Sequence, residues 1–239
     1  MQIVPVPHID IVRVPGSWPL SEDQRAAVET HWRDAVAANP HLWDGRILGL
    51  SAPGGGMPRV EGGVFRAEAR EDAYSAFMLW RQLGFPDIGM SHAFGWALVV
   101  GSDGAIIYGV MGSSTANAGR IYPPGGSLEP RDVLADGTVD VDRCIALELE
   151  EETGLRAEDA SLGAMVAVTD GPRISFGRIY RYRETAETLA KRIRADLDRQ
   201  VHRELDDVVV IASLAQAKAL GAVPYAVAVA EAYFAGQLG

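Results

Sequence analysis

Cysteine occurs once in this chain of 239 residues, at Cys144. A single thiol forms no internal disulfide and no multi-cysteine zinc site, which fits a reducing compartment. Basic residues are also in short supply: 22 Lys and Arg stand against 32 Asp and Glu, for a formal charge of -10. That balance lacks the basic footprint of a nucleic-acid binder. No stretch approaches the roughly 20 consecutive apolar residues of a membrane span. The opening run Met1-Gln2-Ile3-Val4-Pro5-Val6-Pro7 carries neither the basic nor the uninterrupted apolar part of a secretory leader. The expectation is a cytoplasmic protein with no membrane and no nucleic-acid partner. The rest of the composition, 48% hydrophobic and 23% charged with 26 Gly and 13 Pro, is that of an ordinary globular chain. Its length suits one large domain, or one domain with an extension.

Local signals divide the chain by texture. Ser21 and Gln24 form a capping box for a helix over residues 21–38, with Val28, Trp32 and Val36 at spacing four and Asn39-Pro40 as the stop. Strands are expected at Arg46 to Leu50 and Val60 to Ala67, then a helix from Asp72 to Leu83 ended by Gly84 and Pro86. Ala93 to Val100 and Ala105 to Val110 read as a hairpin across Gly101-Ser102-Asp103-Gly104. A helix over 140–153 is capped by Asp140 and stopped by Gly154. Strands at Ala164–Val168, Arg173–Arg183 and Asp207–Ile211, and helices from Thr185 to Arg199 and Pro224 to Ala235, complete the reading. The fold class is α/β in the α+β sense: a mixed sheet between helices. An N-terminal α+β extension, residues 1–90, is expected to pack on a core of residues 91–239.

The chemistry concentrates in GGSLEPRDVLADGTVDVDRCIALELEEETGL, from Gly125 to Leu155. Glu148, Glu151 and Glu152 stand at i, i+3 and i+4, so three carboxylates share one helix face while Ile145 and Leu149 anchor another. Like charges at that spacing repel unless solvent or cations offset them. Hard divalent cations take oxygen ligands and keep waters and substrate phosphates in their shell. A tight Gly125-Gly126 turn opposite such a ridge would let a phosphate approach the backbone. Without that context, the ridge would read as a solvated acidic face.

These residues resemble the Nudix box, G-x5-E-x7-R-E-U-x-E-E-x-G-U with U bulky and aliphatic. Pro124-Gly125-Gly126-Ser127-Leu128-Glu129 matches the approach to the box, and Glu148-Leu149-Glu150-Glu151-Glu152-Thr153-Gly154-Leu155 its second half. Two departures stand out. Leu147 occupies the arginine position, and Gly126 to Glu148 is longer than the pattern by about seven residues, an insertion placed at Pro130–Val139. Either Asp132 replaces the first glutamate of the box, or Val139 holds its position with no carboxylate. The insertion is expected at the rim of the site, shaping substrate choice. More weakly, Asn39-Pro40-His41-Leu42-Trp43-Asp44-Gly45 and the segment from Asp72-Ala73-Tyr74 to Trp80-Arg81 resemble the leading region of a Nudix branch that hydrolyses UDP-glucose and UDP-galactose.

The resemblance implies a Nudix-type α/β/α sandwich and Mg²⁺- or Mn²⁺-dependent hydrolysis of a nucleoside diphosphate linked to another moiety, such as a nucleotide sugar. It implies metal held by Glu148, Glu151, Glu152 and a carbonyl of Gly125 or Gly126, with Glu148 or Glu204 taking the proton of water. Tyr122 is either a base-stacking wall or core, and Arg120 flanks it in the same loop. Arg181 and Arg183 share one strand face and suit phosphate, with Tyr180 and Tyr182 on the other. Cys144 reads as a buried small hydrophobe. A homodimer is compatible with the sequence. The competing class is a nucleotide-binding regulatory protein without turnover, which the Leu147 departure favours.

Overall fold

The computed structural model describes residues 1–238. In chain order its elements are β1 (Gln2–Pro5), β2 (His8–Arg13), α1 (Glu22–Ala38), β3 (Arg46–Ser51), β4 (Val60–Glu61), β5 (Val64–Ala73) and α2 (Tyr74–Gln82). There follow β6 (Ser91–Val100), β7 (Ile106–Met111), β8 (Ile121–Tyr122), β9 (Gly125–Ser127), α3 (Val141–Thr153), β10 (Ser161–Asp170) and β11 (Arg173–Arg181). The chain closes with α4 (Ala186–Leu197), β12 (Leu205–Ile211), α5 (Leu214–Ala219) and α6 (Pro224–Phe234).

All the strands join one mixed sheet, ordered β1-β10-β11-β6-β3-β5-β2 along its main path, with β7, β8, β9 and β12 branching around β6. The pleat of β6 sorts the interior. Ala93, Ala97 and Val99 face a core filled by α3 and α4 through Cys144, Ile145, Leu149, Leu189 and Ile193. Trp96, Leu98 and Val100 face a second core built with α5 and α6 through Ala217, Ala226, Val229 and Ala230. The expected architecture, a mixed sheet between helices, is therefore present. Cys144 is buried as expected, 1% exposed.

Residues 1–90 share this sheet, since β1 pairs with β10 and β3 with β6. The sequence reading misses β1, β2 and α5, and ends β5 too early. Along β5, Phe65, Ala67 and Ala69 alternate inward, while Glu68 pairs with Arg70 on the opposite face and Glu71, at the end of the inward row, pairs with Arg46 and Arg13. Alanine carries too little apolar signal for that alternation to be read as a strand. The capping box of α1 and the Asp140 cap and left-handed Gly154 stop (φ 66°) of α3 form as expected. Among the described residues, no helix is long and apolar enough to cross a membrane.

Candidate active site

Gly125 and Gly126 form no turn. They are the strand β9, hydrogen-bonded antiparallel to β6 with Gly126 opposite Gly95 and Gly125 opposite Trp96. Glycine is required by close approach. A Cβ on Gly125 would lie 2.1 Å from the Gly95 carbonyl oxygen, and one on Gly126 would lie 2.6 Å from the Glu148 carboxylate. The strand thus lies directly against the acidic helix face. The Gly125 N–H donates to Glu152 Oε2 at 2.7 Å, and Glu148 and Glu152 are 7% and 2% exposed.

Glu148, Glu151 and Glu152 lie along one face of α3, and the structure supplies a cation beside them that sequence reasoning missed. Arg131 lies on the 3-10 turn Pro130–Asp132. Its guanidinium reaches Glu148 at 2.6 Å, Glu151 at 2.7 and 3.0 Å, and Glu129 at 3.2 Å. The helix lacks an arginine at Leu147, and a residue of the preceding turn provides the charge instead. Only a two-residue offset from Glu129 hinted at it. Glu204, on the exposed approach to β12, completes the group; its charge is felt by Glu129, Glu148 and Glu152.

Burial dominates the electrostatics. Desolvation pushes the Glu148 carboxyl up to about 8 although Arg131 opposes the shift, and Glu204 and Glu151 add to it. Glu152 is raised well above the carboxylate range by burial and then by Glu148. Glu204 is raised by desolvation and by Glu151. Arg131 is raised in turn, above all by its bond to Glu151.

The residues suit a hard cation in donor chemistry. Glu152 Oε1 is buried with no hydrogen-bond partner, and a side chain on Gly126 would fill the space beside Glu148. As the side chains stand, no three His, Cys, Asp or Glu among the described residues converge on one metal position; Arg131 engages two of the three helix glutamates instead.

The Pro130–Val139 insertion departs from expectation. Asp132 is buried, accepts the Glu129 N–H at 2.8 Å, and its carbonyl accepts Asp140 N–H at 2.8 Å. One carboxylate oxygen staples the turn, while Oδ1 is buried without a hydrogen-bond partner and the side chain faces Cys144 of α3. Val139 is core, and its N–H donates to the Ile11 carbonyl. Thr138 bridges Val12 and Arg13 N–H donates to Gly137 O at 2.8 Å. The insertion is thereby stitched to β2. Apart from Arg131 it does not approach the site, because the N-terminal strand supplies partners that the sequence does not announce.

Beside β9 lies a cleft of about 210 Å³. Gly125, Gly126 and Ser127 form one wall. Tyr122 and Arg120 line it as expected, and the Tyr122 hydroxyl accepts from Asn117 Nδ2 at 3.1 Å. Tyr122 also packs against both cores. Arg181 is misplaced by the sequence reading. It lies over the Tyr233 ring at 5.9 Å, at the far end of β11 from Arg173, which does line the cleft. Eight residues of strand separate them, about 26 Å.

The remaining wall comes from α2 and its exit: Phe77, Arg81 and Phe85. Asp44 Oδ1 accepts Ser75 N–H at 2.7 Å and the Gly45 carbonyl accepts Tyr74 N–H, which fixes the start of this helix. Asn39 Nδ2 donates to the Ser114 carbonyl at 2.9 Å, tying the loop before β8 to the end of α1. His92, 8% exposed, stacks between Phe77 (4.1 Å) and Phe94 (5.5 Å). Its Nε2 pairs with Ser127 Oγ at 3.0 Å. Burial, reinforced by Arg173 and Arg81, lowers its pKa to about 3, so the ring is neutral.

No protein-family model and no curated protein matches the chain. Among solved structures it is similar to a NUDIX hydrolase from Nitrosomonas europaea, with 17% identity over 62% of this chain and 91% of that one and a TM-score of 0.43. It is similar to the MutT protein from Methanosarcina mazei Go1, with 14% identity over 62% and 96% and a TM-score of 0.42. A third is the NUDIX domain of Shewanella oneidensis NrtR complexed with ADP ribose, with 13% identity over 66% and 97% and a TM-score of 0.41. Likenesses at this level assign no activity, and the functional reading rests on the residues of the site.

Proposed function

We propose that this chain is a Nudix-type hydrolase that cleaves the diphosphate of a nucleoside diphosphate linked to another moiety, such as a UDP-sugar, with Mg²⁺ or Mn²⁺. The observation that carries the reading is the buried, partnerless Glu152 Oε1 beside Glu148 and the side-chain-free strand Gly125-Gly126. Glu148, Glu151, Glu152 and the Gly126 carbonyl would hold the metal, which when bound neutralises diphosphate charge and activates water.

The chain's own residues supply the rest. The bare backbone of β9 packs against Gly95, Trp96 and the Glu148 carboxylate, where any Cβ would collide, and Gly125 and Gly126 also line the adjoining cleft, from which a phosphate can reach their backbone. Glu148, buried against Gly126, is the first candidate to accept the proton of water. Glu204, whose charge reaches Glu148 and Glu152, is the second candidate acceptor. Tyr122 offers an aromatic face to the organic part of the substrate. The water oxygen bonds to phosphorus as its proton is taken at a carboxylate oxygen, and the bond from phosphorus to the bridging oxygen breaks, that oxygen leaving with the second phosphate, to give two phosphomonoesters.

The Arg131 bridge favours a second reading, a nucleotide-binding protein without turnover, because a guanidinium already neutralises the carboxylates. Product analysis separates the two. Incubation of UDP-glucose, other NDP-sugars, dinucleotides and NTPs with Mg²⁺ is expected to release nucleoside monophosphate from at least one of them. Binding with no product across the panel would establish the second reading.

A further inference from the structure

Three guanidiniums, Arg81, Arg120 and Arg173, and one carboxylate, Asp170, line the cleft beside β9. This gathering of positive charge sits in a protein of net charge -10. Arg173 is paired with Asp170. Among the described residues, Arg81 and Arg120 make no side-chain hydrogen bond and no ion pair, and burial, followed by the charge of Arg120, disfavours the protonated state of Arg81. Arg81 is half-buried on α2, an arrangement that costs free energy unless an anion offsets it. The other walls are aromatic: Phe77, Phe85, Phe94, Tyr122 and Tyr225.

Two further features mark the cleft as built. His92 Nδ1 is buried with no partner, and the ring is more than nine-tenths buried in the cleft wall. Phe85, a non-glycine residue, holds a left-handed φ of 58° and places its ring against Trp80 at 4.9 Å, with the Arg173 guanidinium 5.9 Å from its centroid. Such a conformation persists only where the surroundings over-determine it.

We propose that this cleft is a subsite for a second anionic group on the substrate, a phosphate or carboxylate carried by the part beyond the diphosphate and held between Arg81 and Arg120. Planar guanidinium forks match both oxyanions bidentately. The assignment rests on the hydrolase reading only in assuming that the substrate's diphosphate lies against Gly125 and Gly126, the wall shared by the cleft and the carboxylates. It gives the first ninety residues a task, since α2 carries Arg81 to a site otherwise formed by later elements. It also narrows the substrate class: neutral sugars would leave both guanidiniums unpaired.

The test is equilibrium binding in EDTA, without turnover, of matched ligands differing by one anionic group. NADPH against NADH forms the phosphate arm, and UDP-glucuronate against UDP-glucose the carboxylate arm. The anionic member of at least one pair is expected to bind roughly tenfold tighter or more, as a charge-assisted contact implies. Arg81→Met and Arg120→Met are each expected to remove most of that preference. No preference in either arm of the wild-type comparison overturns the subsite, whether or not the variants fold, and so does a preference that survives both substitutions. A preference found in a protein that hydrolyses nothing supports the subsite and counts against the hydrolase reading alone.

Discussion

The Arg131 guanidinium lies 2.6 Å from Glu148 Oε1, and the same group reaches Glu151 at 2.7 Å. A cation from the turn before α3 therefore sits in the anionic face of that helix, where Leu147 leaves the helix without an arginine of its own. Metal and guanidinium compete for the same carboxylates in this account.

Arg131→Met removes the competitor and the counter-charge together. The metal-free protein is expected to lose roughly 1–2 kcal/mol, a hydrogen-bonded charge discounted for solvent at a side chain 36% exposed. Mg²⁺ is expected to raise its melting temperature more than it raises that of the wild type. Calorimetry in EDTA and in MgCl₂ reads both. Equal stability and an equal metal response in the two proteins would make Arg131 an incidental surface pair.

Glu148 gives a pH dependence with a definite sign. Its folded carboxyl, near 8, lies above the ordinary 4.5, so the folded state binds the proton more tightly. Stability of the metal-free protein therefore falls as pH rises from about 4.5 through about 8, and Glu152 and Glu204, also raised, act in the same direction. Glu148→Gln should flatten that slope by up to about 1.4 kcal/mol per pH unit, the value for one whole proton. Urea unfolding in EDTA across the window measures it; an unchanged slope would show that Glu148 titrates normally.

The insertion should prove structural. Replacing residues 134–138 with a short turn removes the Thr138 bridge to Val12 and the Arg13–Gly137 hydrogen bond. A loss of about 1–2 kcal/mol is expected for those backbone bonds, with relative rates among nucleotide sugars unchanged, because the segment does not line the cleft. Altered substrate ranking at wild-type stability would restore it to the rim.

What was legible in the sequence was local. Asp140, Gly154, Ser21 and Gln24 act within four residues of where they stand, and their caps and stops formed as read. The i, i+3, i+4 carboxylates likewise share a face by helix geometry alone. The misses depend on distant partners. Arg131 meets Glu148 across 17 residues, Arg81 reaches the cleft only because Asp44 fixes the start of α2, and the insertion is ordered by β2, more than a hundred residues earlier. The pair Gly125-Gly126 hides β9, because adjacent glycines signal turns more often than the close packing of a strand against a helix.

The most direct measurement is the metal dependence of nucleoside monophosphate release by wild type and Glu152→Gln, a nearly isosteric change at a buried carboxylate. The expected result is no turnover in EDTA, turnover restored by Mg²⁺ or Mn²⁺, and a loss on the order of a hundredfold or more in the variant, with its fold intact. Turnover that persists in EDTA, or that Glu152→Gln leaves at the wild-type rate, would contradict it.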